Sequence, residues 1–405
     1  MEYRYLVCTD ANNNNNKYYE MRPNGDTWEA RYGRMGNAGY QSQTYSASQF
    51  VKKYQEKLKK GYIDRTNLKS ELVIEKKAVD NPDGLAQISQ SAIARIVRRL
   101  QEFATKTIRA NYDIAEAVVT QAMVDEAQDV INAMVSDHSV KSFNEDLIHL
   151  ISVIPRKVKR VADYLAKDSS DFAKIIQHEQ DLLDTLSGNV YKPTAATESN
   201  ADDGEKESET ILEKIGVEME EVNDADIQLI KRELGKDSYR FVDAWRVSNK
   251  ETEKSFKNFV ANYKIKDTRM MWHGSRSENF FSIIKTGLKI RPSNAAYTGS
   301  MFSDGLYFST LASKSINYTS LSGSYWAHGG NSTGFMALFE VAYGTPYVVY
   351  QHTSECYHFN FEALQKKSPP CHCVYASAEK GMLRNPEIVF YRPEQVTIRY
   401  LVEIK

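Results

Sequence analysis

The sequence predicts a multidomain chain of α and α+β class: a small antiparallel β-sheet with one helix, then an all-α helical bundle, then an α+β domain. Three observations carry that prediction. Apolar residues alternate with polar ones over the first seventy positions, recur every three to four positions from 83 to about 187, and alternate again in short runs after 211. A length of 405 residues leaves room for more than one core.

In the first part, Tyr3/Tyr5/Val7 and Trp28/Ala30/Tyr32 alternate, and Gly33-Arg34-Met35-Gly36 supplies a turn between strands. Ser46 to Lys60 reads as one helix, with Phe50, Tyr54 and Leu58 four apart. Asn12–Asn16 is a polar low-complexity run, expected to be a mobile hairpin loop without functional meaning. Helical spacing then governs Ile93/Val97/Leu100/Ala104, Val119/Met123/Val130/Met134 and Phe143/Leu147/Leu150/Ile154, the last stopped by Pro155. These stripes are read as the core of an autonomous bundle. An acidic linker without core-forming pattern follows at 188–210. Beyond it, Ile215/Val217/Met219, Tyr239/Phe241, Ala337/Phe339/Val341 and Ile388/Phe390 read as strands. Helices at 224–234 and 277–286 end at Gly235 and Gly287. The boundaries drawn are 1–75, 76–190, 191–210 and 211–405.

Net charge is −1 over the whole chain, but residues 1–70 carry twelve Lys/Arg against seven Asp/Glu, a local +5. A basic first domain on a neutral chain points to a polyanionic partner. Four cysteines, at 8, 356, 371 and 373, are too few and too clustered for a disulfide scaffold and fit a reducing compartment. Met-Glu-Tyr-Arg opens the chain with no apolar leader, and no apolar run reaches membrane-spanning length, so a soluble intracellular protein is expected. Cys356/His358 with Cys371-His372-Cys373 looks superficially like a zinc site.

The chemistry-bearing residues concentrate in three motifs. Trp272-His273-Gly274-Ser275 comes first, Gly305-Leu306-Tyr307-Phe308 second, and Glu387 before Ile-Val-Phe-Tyr third, with Ser-Lys-Ser at 313–315 and Tyr318 after the second. A His, two Tyr, a Ser and a Glu on short apolar elements can grip a ribose and split its glycosidic bond. Such cleavage passes through an oxocarbenium-like state that a carboxylate stabilises.

In these residues and in its domain order the chain resembles the poly(ADP-ribose) polymerase family, in its DNA-dependent type, where a WGR domain, a helical regulatory domain and an ADP-ribosyltransferase domain follow one another. The resemblance implies NAD as co-substrate and a triad of His273, Tyr307 and Glu387. His273 would hold ribose hydroxyls, Tyr307 and Tyr318 would stack on nicotinamide, and Glu387 would activate the incoming hydroxyl. Gly274 and Ser315 would hold the carboxamide, the glycine because a side chain would block approach. Ser275, Asn279 and Lys289 would face the adenosine part, and Lys314 the nicotinamide ribose. Glu at the third triad position implies polymer rather than single units.

Tyr32-Gly33-Arg34 stands where the WGR tripeptide would, with Tyr in place of Trp. The resemblance gives the aromatic to a DNA end and the Arg to a contact between domains, and implies that all three bind DNA. Lys52, Lys53, Lys57, Lys59 and Lys60 are candidate phosphate contacts. The implied partners are DNA strand breaks and acceptor proteins including the chain itself, with room for an accessory ADP-ribosylation factor and no membrane. Ser199 and Ser208 in the acidic linker are plausible acceptors. The helical region would cover the NAD cleft until DNA loosens it. No metal is expected, because the zinc of some members lies in the interval that is 319–334 here, which lacks cysteine. Location would be nuclear in a eukaryote, otherwise cytoplasmic and nucleoid-associated. Two other readings stay open: a catalytically weak DNA-end scaffold, and a mono-ADP-ribosyltransferase acting on nucleic-acid ends.

Overall fold

A computed structural model describes residues 1–37, 39–66, 92–113, 119–136, 139–189, 211–290, 301–325 and 327–405. The acidic linker, with Ser199 and Ser208, lies outside them. The chain divides into two compact units, one of residues 1–82 and 105–204, the other of residues 83–104 and 205–405.

In the first unit, β1 (Arg4–Asp10), β2 (Asn15–Asn24), β3 (Thr27–Arg34), β4 (Gln41–Ser46) and β5 (Ile63–Asp64) form one antiparallel sheet in the order β4-β3-β2-β1-β5. Helix α1 (Phe50–Lys59) begins after a short 3-10 turn, a few residues later than its apolar spacing predicts. Alternation puts Leu6, Cys8, Tyr19, Met21, Trp28 and Ala30 on one buried face, which Phe50, Tyr54 and Leu58 of α1 cover. Trp28 sits between Tyr45, stacked at 4.7 Å, and the edge of Phe50 at 5.3 Å.

Helix α2 (Ala92–Asn111) does not belong wholly to a separate bundle, contrary to the sequence reading. Its residues up to 104 fall in the second unit, where Ile96, Val97 and Leu100 join the large core of that unit. Arg99 fixes it there with a two-pronged pair to Glu403 at 2.8 and 2.7 Å. Helices α3 (Gln121–Ser136), α4 (Val140–Val153) and α5 (Phe172–Asn189) do pack on one another in the first unit. Met123, Val130, Met134, Leu147 and Leu150 are buried as their spacing predicts, and Phe143 stacks on Phe172 at 3.9 Å. A buried pair, Arg156–Glu179 at 2.6 Å, joins α5 to the segment after α4.

The second unit contains two sheets. The first runs β6 (Val217–Glu221), β7 (Phe241–Asn249), β14 (Val396–Ile404), β10 (Gly334–Ala342), β8 (Thr268–Gly274) in that spatial order. The second runs β11 (Pro346–Val349), β12 (Cys373–Ala376), β13 (Glu387–Phe390), β9 (Leu306–Phe308). Helix α6 (Ile211–Lys214) leads in, and α7 (Asp224–Leu234) starts on an Asn223–Asp226 capping box and stops at Gly235, φ +58°. Helix α8 (Lys250–Asn262), capped by Asn249, has no counterpart in the sequence reading. Tyr239, read as a strand residue, lies in a 3-10 turn before β7 and is exposed. Helices α9 (Phe280–Thr286), α10 (Ala312–Ile316) and α11 (Phe361–Gln365) complete the unit. Between the sheets, Phe280, Phe308, Phe335, Phe339 and Phe390 form one apolar layer.

Candidate active site and nucleic-acid face

The two sheets meet at the bridge Trp272↔Ser309, where each residue's N–H donates to the other's carbonyl at 2.8 and 3.1 Å. That bridge sets three chain segments side by side. His273 lies one residue beyond it on β8, and Tyr307 two residues before it on β9. Glu387 opens β13, whose Ile388 is paired with Phe308. The His273 imidazole closes the arrangement, with Nδ1 3.1 Å from the Tyr307 carbonyl. A carbonyl only accepts, so the proton resides on Nδ1 and Nε2 is left as an acceptor. Burial holds the pKa of this ring below its ordinary value, opposed by the bond to Tyr307, so the ring is neutral at pH 7.

Glu387 is ion-paired with Lys314 of α10, and both side chains are 15% exposed. The ammonium also points to the Pro386 carbonyl at 3.5 Å. Burial lowers the Lys314 pKa, and the Glu387 charge partly restores it. Tyr318 is 39% exposed, and burial followed by the nearby Glu387 charge pushes its hydroxyl up to about 12. Lys314 and Glu387 were separate assignments in the sequence reading, and the fold makes them one unit.

Helix α10 lies directly on β8. The Ser315 hydroxyl donates to the Trp272 carbonyl at 3.2 Å, and a Cβ on Gly274 would fall 1.9 Å from the Ser315 carbonyl. The glycine is therefore required by the helix contact itself, a reason the sequence reading did not supply. Ser275 accepts from Asn279, which is buried, at 3.0 Å, and Lys289 is exposed.

The poly(ADP-ribose) polymerase catalytic domain matches residues 224–405, and the WGR domain matches residues 3–69. The chain belongs to the poly(ADP-ribose) polymerase family. The "Poly [ADP-ribose] polymerase" of Drosophila melanogaster is 42% identical over 105 residues, 26% of this chain and 10% of that protein. "Uncharacterized protein 101L" of Invertebrate iridescent virus 6 is 32% identical over 200 residues, 47% of this chain and 80% of that protein. "Poly [ADP-ribose] polymerase 2" of Arabidopsis thaliana is 30% identical over 167 residues, 35% of this chain and 24% of that protein. The match spans about a tenth of the insect polymerases' length.

In the WGR domain, Tyr32 stacks on Tyr19 at 5.6 Å. Lys57 lies over Tyr19 at 3.9 Å, Tyr62 at 5.1 Å and Tyr32 at 6.0 Å. Burial and the neighbouring Lys60 charge lower its pKa. Lys57 is thus set in a three-ring aromatic cluster rather than on a solvated lysine face, while Lys52 and Lys59 are exposed. Lys53 and Lys60 both pair with Glu56, at 3.4 and 2.6 Å. Gly33, read as part of a turn, lies in β3 opposite Tyr18.

Arg34 is committed to protein main chain. Its guanidinium donates to the Asn14 carbonyl at 2.7 Å, to the Val158 carbonyl at 3.4 Å and to the Lys159 carbonyl. These bonds occupy donors that a phosphate would need. The asparagine run takes part as well, against expectation. Asn14 Oδ1 accepts from the Val161 N–H at 3.0 Å, and the buried Asn16 donates to the Arg156 carbonyl at 2.7 Å. Composition made the run look featureless, but each amide carries a donor and an acceptor suited to exposed main chain.

The cysteine cluster is occupied otherwise. Cys371 and Cys373 donate to the Pro369 and Tyr343 carbonyls, each at 3.4 Å, and burial pushes both thiols up. Among the described residues, no group of three or more His, Cys, Asp or Glu could hold a metal. Among them, too, no helix is long and apolar enough to cross a membrane.

Proposed function

We propose that the chain cleaves NAD and transfers ADP-ribose to acceptor proteins, itself included, building poly(ADP-ribose), and that DNA strand breaks switch it on. The observation that carries the chemistry is the convergence of His273, Tyr307 and the Lys314-paired Glu387 on three adjoining segments at the sheet junction. His273 Nε2 accepts from a ribose hydroxyl and Tyr307 with Tyr318 flank the nicotinamide ring. Gly274 and Ser315 line the place for the carboxamide. As the bond from C1′ to the nicotinamide nitrogen breaks, nicotinamide leaves with its electron pair and Glu387 offsets the charge on the ribose. An acceptor hydroxyl then bonds to C1′ and passes its proton to Glu387, a general-base contribution of roughly 10²–10⁴-fold. The ion pair with Lys314 aims that carboxylate. Ser275, Asn279 and Lys289 serve the adenosine end.

DNA activation is supported by the WGR match and by the Tyr19/Tyr32/Tyr62/Lys57 cluster, which offers flat rings and a positive charge to a strand end. A nuclear location in a eukaryotic host follows from that partner. Labelled NAD, with and without a nicked or blunt oligonucleotide, tests the reading when products are resolved by size. Polymer on protein that appears only with DNA supports it. Absence of transfer leaves a DNA-end scaffold, and label on the oligonucleotide leaves a transferase acting on nucleic-acid ends.

A further inference from the structure

We propose that Tyr391 is a positioning residue for NAD cleavage, acting through the turn Met301–Asp304 to fix the ring of Tyr307. The proposal rests on Tyr307 being the ring that lies against nicotinamide.

Two tyrosines on neighbouring strands hold this turn. Tyr391, immediately after β13 and 7% exposed, donates its hydroxyl to the Phe302 carbonyl at 2.7 Å. Tyr307, on β9, donates its hydroxyl to the Ser303 carbonyl at 2.8 Å and accepts from the Phe302 N–H at 3.1 Å. The Tyr307 ring is therefore anchored at its far end by two main-chain groups of the turn, and the turn is anchored by Tyr391. His352 adds a third hold, with Nε2 2.8 Å from the Met301 carbonyl. The Phe302 side chain is fully buried.

The backbone shows that the turn is set by its surroundings. Ser303 has φ +66°, the left-handed region that costs a residue with a Cβ about 1–2 kcal/mol. At Gly305 a Cβ would stand 2.4 Å from Val389 Cγ1 and 3.3 Å from Tyr391 Cε1, so the chain lies directly on β13. A non-glycine residue held at positive φ by packing marks a place where position is over-determined. Tyr391 leaves the strand that Glu387 begins, and the Tyr307 carbonyl receives His273. One hydrogen-bonded path thus joins all three triad segments, and Tyr391 is its buried end.

The full chain, with nicked DNA present, is compared with Tyr391→Phe, Ser303→Val and Ser303→Gly. KM and kcat for NAD are measured, together with calorimetric affinities for nicotinamide and for ADP-ribose, which lacks the nicotinamide ring. Tyr391→Phe is expected to weaken nicotinamide and raise KM by about tenfold, the effect of one buried acceptor left unpaired. ADP-ribose affinity stays within about twofold by the same argument, because the adenosine end is untouched. Ser303→Val, forcing a β-branched residue to φ +66°, reproduces the loss. Ser303→Gly keeps wild-type affinity, because the turn can form without a Cβ. Should Tyr391→Phe fail to fold, the two Ser303 variants decide alone. Unchanged nicotinamide affinity in Tyr391→Phe and Ser303→Val, or an equal loss of ADP-ribose, overturns the positioning role. A folded wild-type chain that binds ADP-ribose but not nicotinamide overturns the reading of Tyr307 itself, and this proposal with it.

Discussion

The two units present their signature tripeptides in opposite ways. In the second, Trp272-His273-Gly274 is held by backbone: a bridge at Trp272, a main-chain carbonyl on His273, and a helix carbonyl against Gly274. In the first, Tyr32-Gly33-Arg34 works through side chains, a stacked ring and a guanidinium reaching out to three carbonyls. The glycines state the difference in numbers. A Cβ on Gly274 meets the Ser315 carbonyl at 1.9 Å, whereas on Gly33 the nearest atoms, in Gly39 and Tyr18, stand at 3.4 Å. Chemistry that needs atoms placed to a fraction of an ångström is built into packed strands and a helix. The contacts of Arg34 are instead made by one long side chain reaching from the end of β3 to main-chain carbonyls.

The largest effect expected from this contrast is at the carboxylate. Glu387→Gln should retain NAD binding and lose polymer formation by roughly 10²–10⁴-fold, since the amide cannot take the acceptor's proton. Wild-type polymer length in that variant would remove Glu387 from the mechanism. Next come the glycines. Gly274→Ala overpacks backbone against backbone and should cost ~3 kcal/mol or more, lowering the melting temperature of the transferase transition by about 6–12 °C. Gly33→Ala should stay within about 0.5 kcal/mol, as surface substitutions usually do. Equal shifts in calorimetry would erase the distinction between the two tripeptides. Smaller still, Arg34→Ala or Asn16→Ala should each destabilise the first unit by about 1–2 kcal/mol in urea unfolding and expose residues 156–161 to protease. Transferase stability should not change.

What the sequence disclosed divides along the same line. Period-two and period-3.6 spacing located most strands and helices, because burial of one face is a local property of the chain. The triad came from the family resemblance and not from spacing: Glu387 begins β13, but His273 is the next-to-last residue of β8 and Tyr307 the middle one of β9. The ownership of α2 was not legible, since Ile96, Val97 and Leu100 are spaced identically whichever core they enter. Nor was Tyr391, whose proposed role depends on a turn 89 residues earlier in sequence. The asparagines were misread because composition records side-chain type and not the main-chain groups that a side chain will meet. The surroundings of Lys57 were not legible either, because a lysine on a helix gives no sign of the three rings that strands and a turn will bring to it.

The smallest effect separates the units by pH. Burial holds His273 and His372, both in the second unit, below the ordinary histidine value of 6.5. A histidine with a depressed native pKa binds fewer protons folded than unfolded in that window, so stability rises with pH and is lost as pH falls below 6.5. In the first unit the lowered groups that titrate in acid are carboxylates such as Asp10, Asp64 and Asp168, whose ordinary value is 3.8. Their stabilisation is present above that value and fades only as pH falls below it. Mild acid should therefore loosen the transferase unit first. Amide hydrogen exchange at pH 5.5 and 7.5, corrected for intrinsic rates, should show protection falling in β8, β9 and β13 while β1–β3 hold. His273→Gln should remove part of that loss, because the amide carries no proton to gain. Equal loss in both units, or an unchanged pH response in His273→Gln, would mean that the neutral imidazole is not what the transferase fold protects.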